Sequence, residues 1–152
     1  MDASSQVLMA AIEHPTLRQV VEYWLARRGE RVAPLRADID PIDLHFALGY
    51  ISLVEVRESP RRFYFRVDGS MQVELFGIDC TGKYLDECFP VDHVRMTSES
   101  YGAAVDSGQP QYHRRKILFN HRPLRYEVAI LPLSSTGSSI DMLMVALIPH
   151  WD

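Results

Sequence analysis

The sequence predicts an α+β fold: a five-stranded antiparallel sheet with helices on one face and an amphipathic helix at the N-terminus. Three observations carry this. Two strand-like apolar runs precede residue 69, and three more follow residue 110. Short turns join the first run to the second and the last three to one another. Such turns pair neighbours antiparallel, because a parallel pair needs a long crossover. Between the second and third runs lie two helix patterns, each closed by a glycine, Gly77 and Gly108, the residue that most readily takes a left-handed cap. Helices gathered there cover one face of the sheet.

Taken in order, residues 1–13 carry little pattern and read as a loose leader, and residues 14–152 read as a single domain. Thr16 is placed to cap a helix over 16–28, closed by Gly29. Its apolar positions Leu17, Val20, Val21, Trp24 and Leu25 follow the i, i+3, i+4, i+7, i+8 spacing of one helix face. Asp40 and Pro41 suit the start of a short helix ending at Gly49. Ile51–Val56 reads as the first strand and Phe63–Asp68 as the second, with Phe63, Phe65 and Val67 on one side and Tyr64, Arg66 and Asp68 on the other. Ser70 opens the helix that Gly77 stops. Asp92 is placed to cap a longer helix reaching Ser107. Gln111–Phe119, Leu124–Leu133 and Met142–Ile148 complete the sheet. The last is nearly all apolar, as a central strand covered on both faces would be.

At 152 residues the chain is one domain by length. It can bury roughly two-thirds of its unfolded surface, so it folds without metal or disulfide. A net charge of −4 argues against nucleic acid, whose phosphates call for a basic face. Cys80 and Cys88 form no C-x-x-C pair and are too few for a disulfide scaffold, which fits reduced thiols in the cytoplasm. The first residues lack the basic start and apolar run of a signal peptide. No apolar stretch approaches the roughly 18 residues of a membrane span.

The span from Trp24 to Ile148 resembles a bacterial PAS family, found largely in alphaproteobacteria and mostly of unassigned function. The matching pieces are Tyr23-Trp24, Arg36-Ala37-Asp38-Ile39-Asp40-Pro41, Phe63–Gly69 and Phe76-Gly77-Ile78-Asp79-Cys80-Thr81-Gly82-Lys83-Tyr84-Leu85-Asp86-Glu87. Gly108-Gln109-Pro110, Leu131-Pro132-Leu133-Ser134 and Asp141-Met142-Leu143 follow in the same order. Asp68 and Cys80 depart from the family pattern, which more often has apolar residues there. The resemblance implies a sensor fold with strand order 2-1-5-4-3, a central pocket and no reaction.

Two cofactors are weighed and neither is expected. The segment ending at Cys80 looks like the flavin-binding photoreceptor branch of the PAS group. The arginine and amides that hold and read the flavin are missing, so Cys80 reads as a buried small hydrophobe. His93 stands where haem-binding relatives place a histidine, but a lone imidazole is weak support for haem, and a surface histidine is the simpler reading. His45, His113 and His121 have no metal-ligand spacing with one another.

The residues chosen to bind a small organic ligand are Tyr64, Arg66, Tyr84, Tyr101 and Tyr126. Tyrosines give apolar walls with hydroxyl tips, and Arg66 could grip a carboxylate in two-pronged fashion; the bland alternative is core tyrosines with a solvated arginine. Leu17, Val20, Val21 and Trp24 are expected to build a homodimer, the alternative being that they dock on the chain's own sheet. With no nucleophile or phosphate-loop motif, the chain reads as a non-enzymatic sensor or protein-interaction module. With the sequence ending at the last strand, signalling is expected to pass in trans to an unknown downstream protein. The rival reading is a small α+β cone enzyme of the steroid-isomerase type, using Asp68 or Glu127 beside tyrosines.

Overall fold

The elements form where local chemistry favours them, and the computed structural model describes them over residues 1–151. They run α1 Ala3–Ala11, α2 Pro15–Arg28, two short 3-10 turns at Arg36–Asp38 and His45–Tyr50, β1 Ile51–Arg57, β2 Arg62–Val67, α3 Ser70–Phe76, α4 Leu85–Cys88, α5 Val91–Ser107, β3 Gln111–Phe119, β4 Arg122–Leu133 and β5 Met142–Pro149. The sheet order is β2-β1-β5-β4-β3, with every neighbouring pair antiparallel. The first strand therefore lies beside the last, as in the sensor fold and unlike the rival cone.

β5 is buried along its whole length, and its side chains and those of β4 alternate between two cores. Val128, Ile130, Leu143, Val145 and Leu147 face α3, α4 and α5 through Leu75, Phe76, Leu85 and Ala104. Ala129, Leu131, Leu133, Met142, Met144, Ala146 and Ile148 face the opposite way, onto α1 and α2. The N-terminal amphipathic helix thus covers the second face of the sheet.

This overturns the expectation for its stripe. Leu17, Val20, Val21 and Trp24 are each 0% exposed within a single chain. The Trp24 indole N–H donates to the Pro132 carbonyl at 2.8 Å. The physical reason is the bare apolar face that β4 and β5 would otherwise show to water, which the stripe removes at roughly 25 cal/mol per Å². These side chains are not free to meet a second copy.

The expected loose leader is likewise ordered. Asp2 caps α1 by accepting the Ser5 N–H at 2.8 Å, and Met9 and Ile12 join the core under α2. α2 begins at Pro15, one residue early, because His14 rather than Thr16 is its cap, accepting the Thr16 N–H at 3.1 Å. Residues 40–49 form turns and a 3-10 segment instead of a regular α-helix. Pro90, with no side-chain cap, precedes α5, leaving Asp92 in its first turn. α4 was not expected; the Glu87 carboxylate starts it by accepting the Tyr84 N–H at 2.9 Å.

Two local features fix the geometry around β2. Leu53 pairs with Val67 and Val54 with Phe65, so Arg66 is an extra residue, a β-bulge. After it, Gly69 is pressed against β1. Its N–H donates to Ser52 Oγ at 2.9 Å, and a Cβ there would lie 2.7 Å from the Gly49 carbonyl oxygen. On the opposite face, fully buried Glu127 accepts the Tyr112 hydroxyl at 2.6 Å, the Glu13 and His14 N–H groups at 3.2 and 3.3 Å, and bonds His150 Nε2 at 2.9 Å. It pins the α1–α2 junction to the sheet.

Candidate functional site

The bulge at Arg66 decides what enters the interior. Strand alternation alone would place Asp68 outside with Tyr64 and Arg66. One extra residue inverts the pattern, leaving Val67 47% exposed and turning Asp68 into a cavity between the sheet and α3–α5. The cavity measures ≈ 40 Å³. That is room for about three or four waters at the roughly 10–15 Å³ each centre needs.

Asp68 is held from several sides. The Ser52 hydroxyl donates to Oδ1 at 2.7 Å, the Cys80 N–H to Oδ2 at 3.0 Å, and Asp68's own N–H reaches Thr81 Oγ1 at 3.0 Å. Burial nonetheless pushes its carboxyl pKa up, against those donors. Cys80 beside it is fully buried, and burial pushes its thiol up as well. A thiol held protonated is a poor nucleophile.

Tyr101 from α5 and Tyr126 from β4 line the same cavity and are only 5% and 4% exposed. Burial raises both phenols, Tyr126 to about 12. Neither hydroxyl has a hydrogen-bond partner among the described residues. Donors that open on a cavity call for water or a ligand. Arg115, the cross-strand partner of Tyr126 on β3, donates to Ser100 Oγ at 2.6 Å. His93 from α5 also lines the cavity. Its ring packs on Phe89 at 4.5 Å, Phe76 at 5.1 Å and Phe119 at 5.4 Å. Burial, with the nearby Arg115 charge, lowers its pKa from 6.5 to about 4.

The structure therefore splits the expected ligand set. Tyr101 and Tyr126 line the cavity. Tyr64, Arg66 and Tyr84 do not: they lie on the outward side of β2 and the chain before α4. The Tyr64 and Tyr84 rings meet at 5.3 Å. Arg57 lies over Tyr64 at 4.0 Å and donates to the Tyr84 hydroxyl at 2.8 Å, while Arg62 covers Tyr84 at 3.6 Å. Arg66 is 62% exposed and 3.5 Å from Glu55. His93 is a wall residue and not the surface histidine expected. The carboxylates of the rival reading part company too, Asp68 in the cavity and Glu127 across the sheet.

Asp68, His93, Ser100 and Arg115 were missed as wall residues. A signal for three of them existed: His93, Thr97, Ser100, Tyr101 and Ala104 recur at helical spacing and share one face of α5, and Asp68 is a polar residue where the resembled family is apolar. Arg115 gave none, since it sits in the unbroken run His113-Arg114-Arg115-Lys116, which shows no inward side. Among the described residues no cluster of three or more His, Cys, Asp or Glu could hold a metal. No helix of theirs is long and apolar enough to cross a membrane.

Comparison with known proteins adds a family and a fold. A family model described as a PAS domain matches residues 12–147. No curated protein matches the chain. The PAS domain of BvgS from Bordetella pertussis superimposes with a TM-score of 0.52 at 12% identity, over 73% of this chain and 88% of that one. A fungal LOV-domain photoreceptor, linked to blue light and oxidative stress, gives 0.46 at 15% identity over 76% and 94%. A sensory box histidine kinase/response regulator from Burkholderia thailandensis E264 gives 0.44 at 9% over 72% and 84%. At these identities the likeness shows the fold alone.

Proposed function

The chain belongs to the PAS domain family, and from that premise we propose that it is a non-enzymatic sensor module that takes a small organic ligand into the cavity beneath α5. The observation that carries this is that the hydroxyls of two buried tyrosines, Tyr101 and Tyr126, have no protein partner and line a mostly apolar cavity. Folded proteins satisfy almost all buried polar groups, and these two are supplied with no protein partner. Occupancy is reported in trans, to a downstream protein or a second copy of the chain, through a surface other than the buried α2 stripe. The free thiols of Cys80 and Cys88 suit a reducing cytoplasm.

Native mass spectrometry of freshly purified protein tests the reading. The expected result is a mass increment of one small molecule, lost when Val128→Trp fills the cavity. A protein that carries no increment, and whose melting temperature no member of a small-molecule library raises, overturns it.

A further inference from the structure

The cavity wall carries both an acid and a base, and that says what fits against it. Asp68 lies close enough to Tyr101 that the carboxylate charge bears on the phenol, and Tyr126 bears on the same phenol. Arg115 and Tyr126 are paired across β3 and β4, and Arg115 bonds Ser100, the residue before Tyr101. Phe65, Phe76 and Phe89 supply aromatic wall.

Arg115 is the informative residue. It is half-buried, and it lines both the cavity and a surface groove between α5 and β3. Its one hydrogen bond goes to the neutral Ser100 hydroxyl, and among the described residues no carboxylate lies in ion-pair range. Glu99, the acid of that groove, is exposed and beyond ion-pair range. A guanidinium drawn partly out of water without a counter-charge is costly. Its planar fork matches a carboxylate with two parallel hydrogen bonds.

Resting on the reading of the cavity as a ligand site, we infer that the ligand is a small organic monoacid, its carboxylate on Arg115 at the mouth and its apolar body reaching toward Tyr101 and Asp68. Three or four waters displaced amount to roughly 90–120 Å³ of liquid at about 30 Å³ each. That limits the body to about one ring. A hydroxyl on the far side of that ring would donate to Asp68 or meet the unpartnered Tyr101 hydroxyl. Arg115 at the mouth also explains how an anion enters: the charge meets it in the groove before the body is desolvated.

The test uses benzoate, 4-hydroxybenzoate and the neutral isostere benzamide as probes. Binding is measured by calorimetry, and its site by tyrosine ring resonances. Both acids are expected to bind and to shift Tyr101 and Tyr126, 4-hydroxybenzoate more tightly, with benzamide weaker by about tenfold or more. Arg115→Met should erase the preference for acids, and Arg115→Lys should keep part of it. Near-UV circular dichroism confirms that the Arg115→Met variant is folded. Should it not be, Ser100→Ala, which frees the guanidinium from its anchor, should weaken the acids and leave benzamide unchanged. Benzamide binding as well as benzoate would overturn the acid class while leaving the cavity as a ligand site. If neither acid moves the tyrosine resonances, the inference is wrong, and the mass increment decides the cavity reading separately.

Discussion

His93 ties the cavity to pH. Its ring is wedged among Phe76, Phe89 and Phe119, where burial disfavours the charged form and lowers its pKa from 6.5 to about 4. The unfolded chain therefore binds the proton first as pH falls. Stability is full above 6.5, declines as pH drops through that value and levels off below about 4. Allowing for the ring's partial exposure, the loss is about 1–3 kcal/mol. Urea midpoints across that window should fall more for the native protein than for His93→Phe; parallel curves would show that His93 is not the group responsible. At this scale the sequence was half legible. Tyr101 and Tyr126 reached the cavity because one helix and one strand followed their periodicity without interruption. Tyr64 and Arg66 did not, because alternation says which residues share a side and not which side is inward. The inversion after Arg66 depends on pairing with β1, and nothing in β2's own sequence records it.

That inversion is a property of the strand pair and predicts its own reversal. Deleting Arg66 removes the extra residue opposite Leu53 and Val54 and should turn Asp68 outward. Its carboxyl pKa, now raised by burial, should then fall to the ordinary exposed range, as carboxyl carbon resonances followed against pH would reveal. An unchanged titration would mean that Gly69 and Ser52 hold Asp68 without the bulge. For α2 the structure predicts a core role. Val20→Asp buries an unpaired charge against β4 and β5, with an expected loss of about 3 kcal/mol or more, and Trp24→Ala should cost about 3–5 kcal/mol, both read from urea midpoints. Values near zero would return the stripe to the surface. The stripe was legible as amphipathic; its occupant was not, since helix periodicity does not name the surface it covers. α1 was missed because its buried positions, Ser5 and Met9, include just one apolar residue. The five strands and their antiparallel joins were legible because each combines an apolar run with a turn.

Across the whole molecule, Glu127 ties the N-terminal helical layer to the sheet. Burial alone would raise its pKa, but the Tyr112 hydroxyl, the His14 and Glu13 N–H groups and His150 outweigh that and hold it lowered. Its contribution is thus present above the ordinary 4.5 and is lost as pH falls through the lower folded value. Glu127→Gln should cost about 1–3 kcal/mol and speed hydrogen exchange in residues 3–28 ahead of α5. Uniform acceleration over the chain would show that the N-terminal helices do not open as a unit. The two-sided burial of β4 and β5 also bears on modularity. A sensor unit cut to begin after Gly29, and spliced to another protein, would leave Ala129, Leu131, Leu133, Met144 and Ala146 uncovered. Such a patch recruits a neighbour, so the transplanted unit should sediment as oligomers while the longer one does not. The portable unit of this protein begins before the first residue of its sheet by the length of two helices.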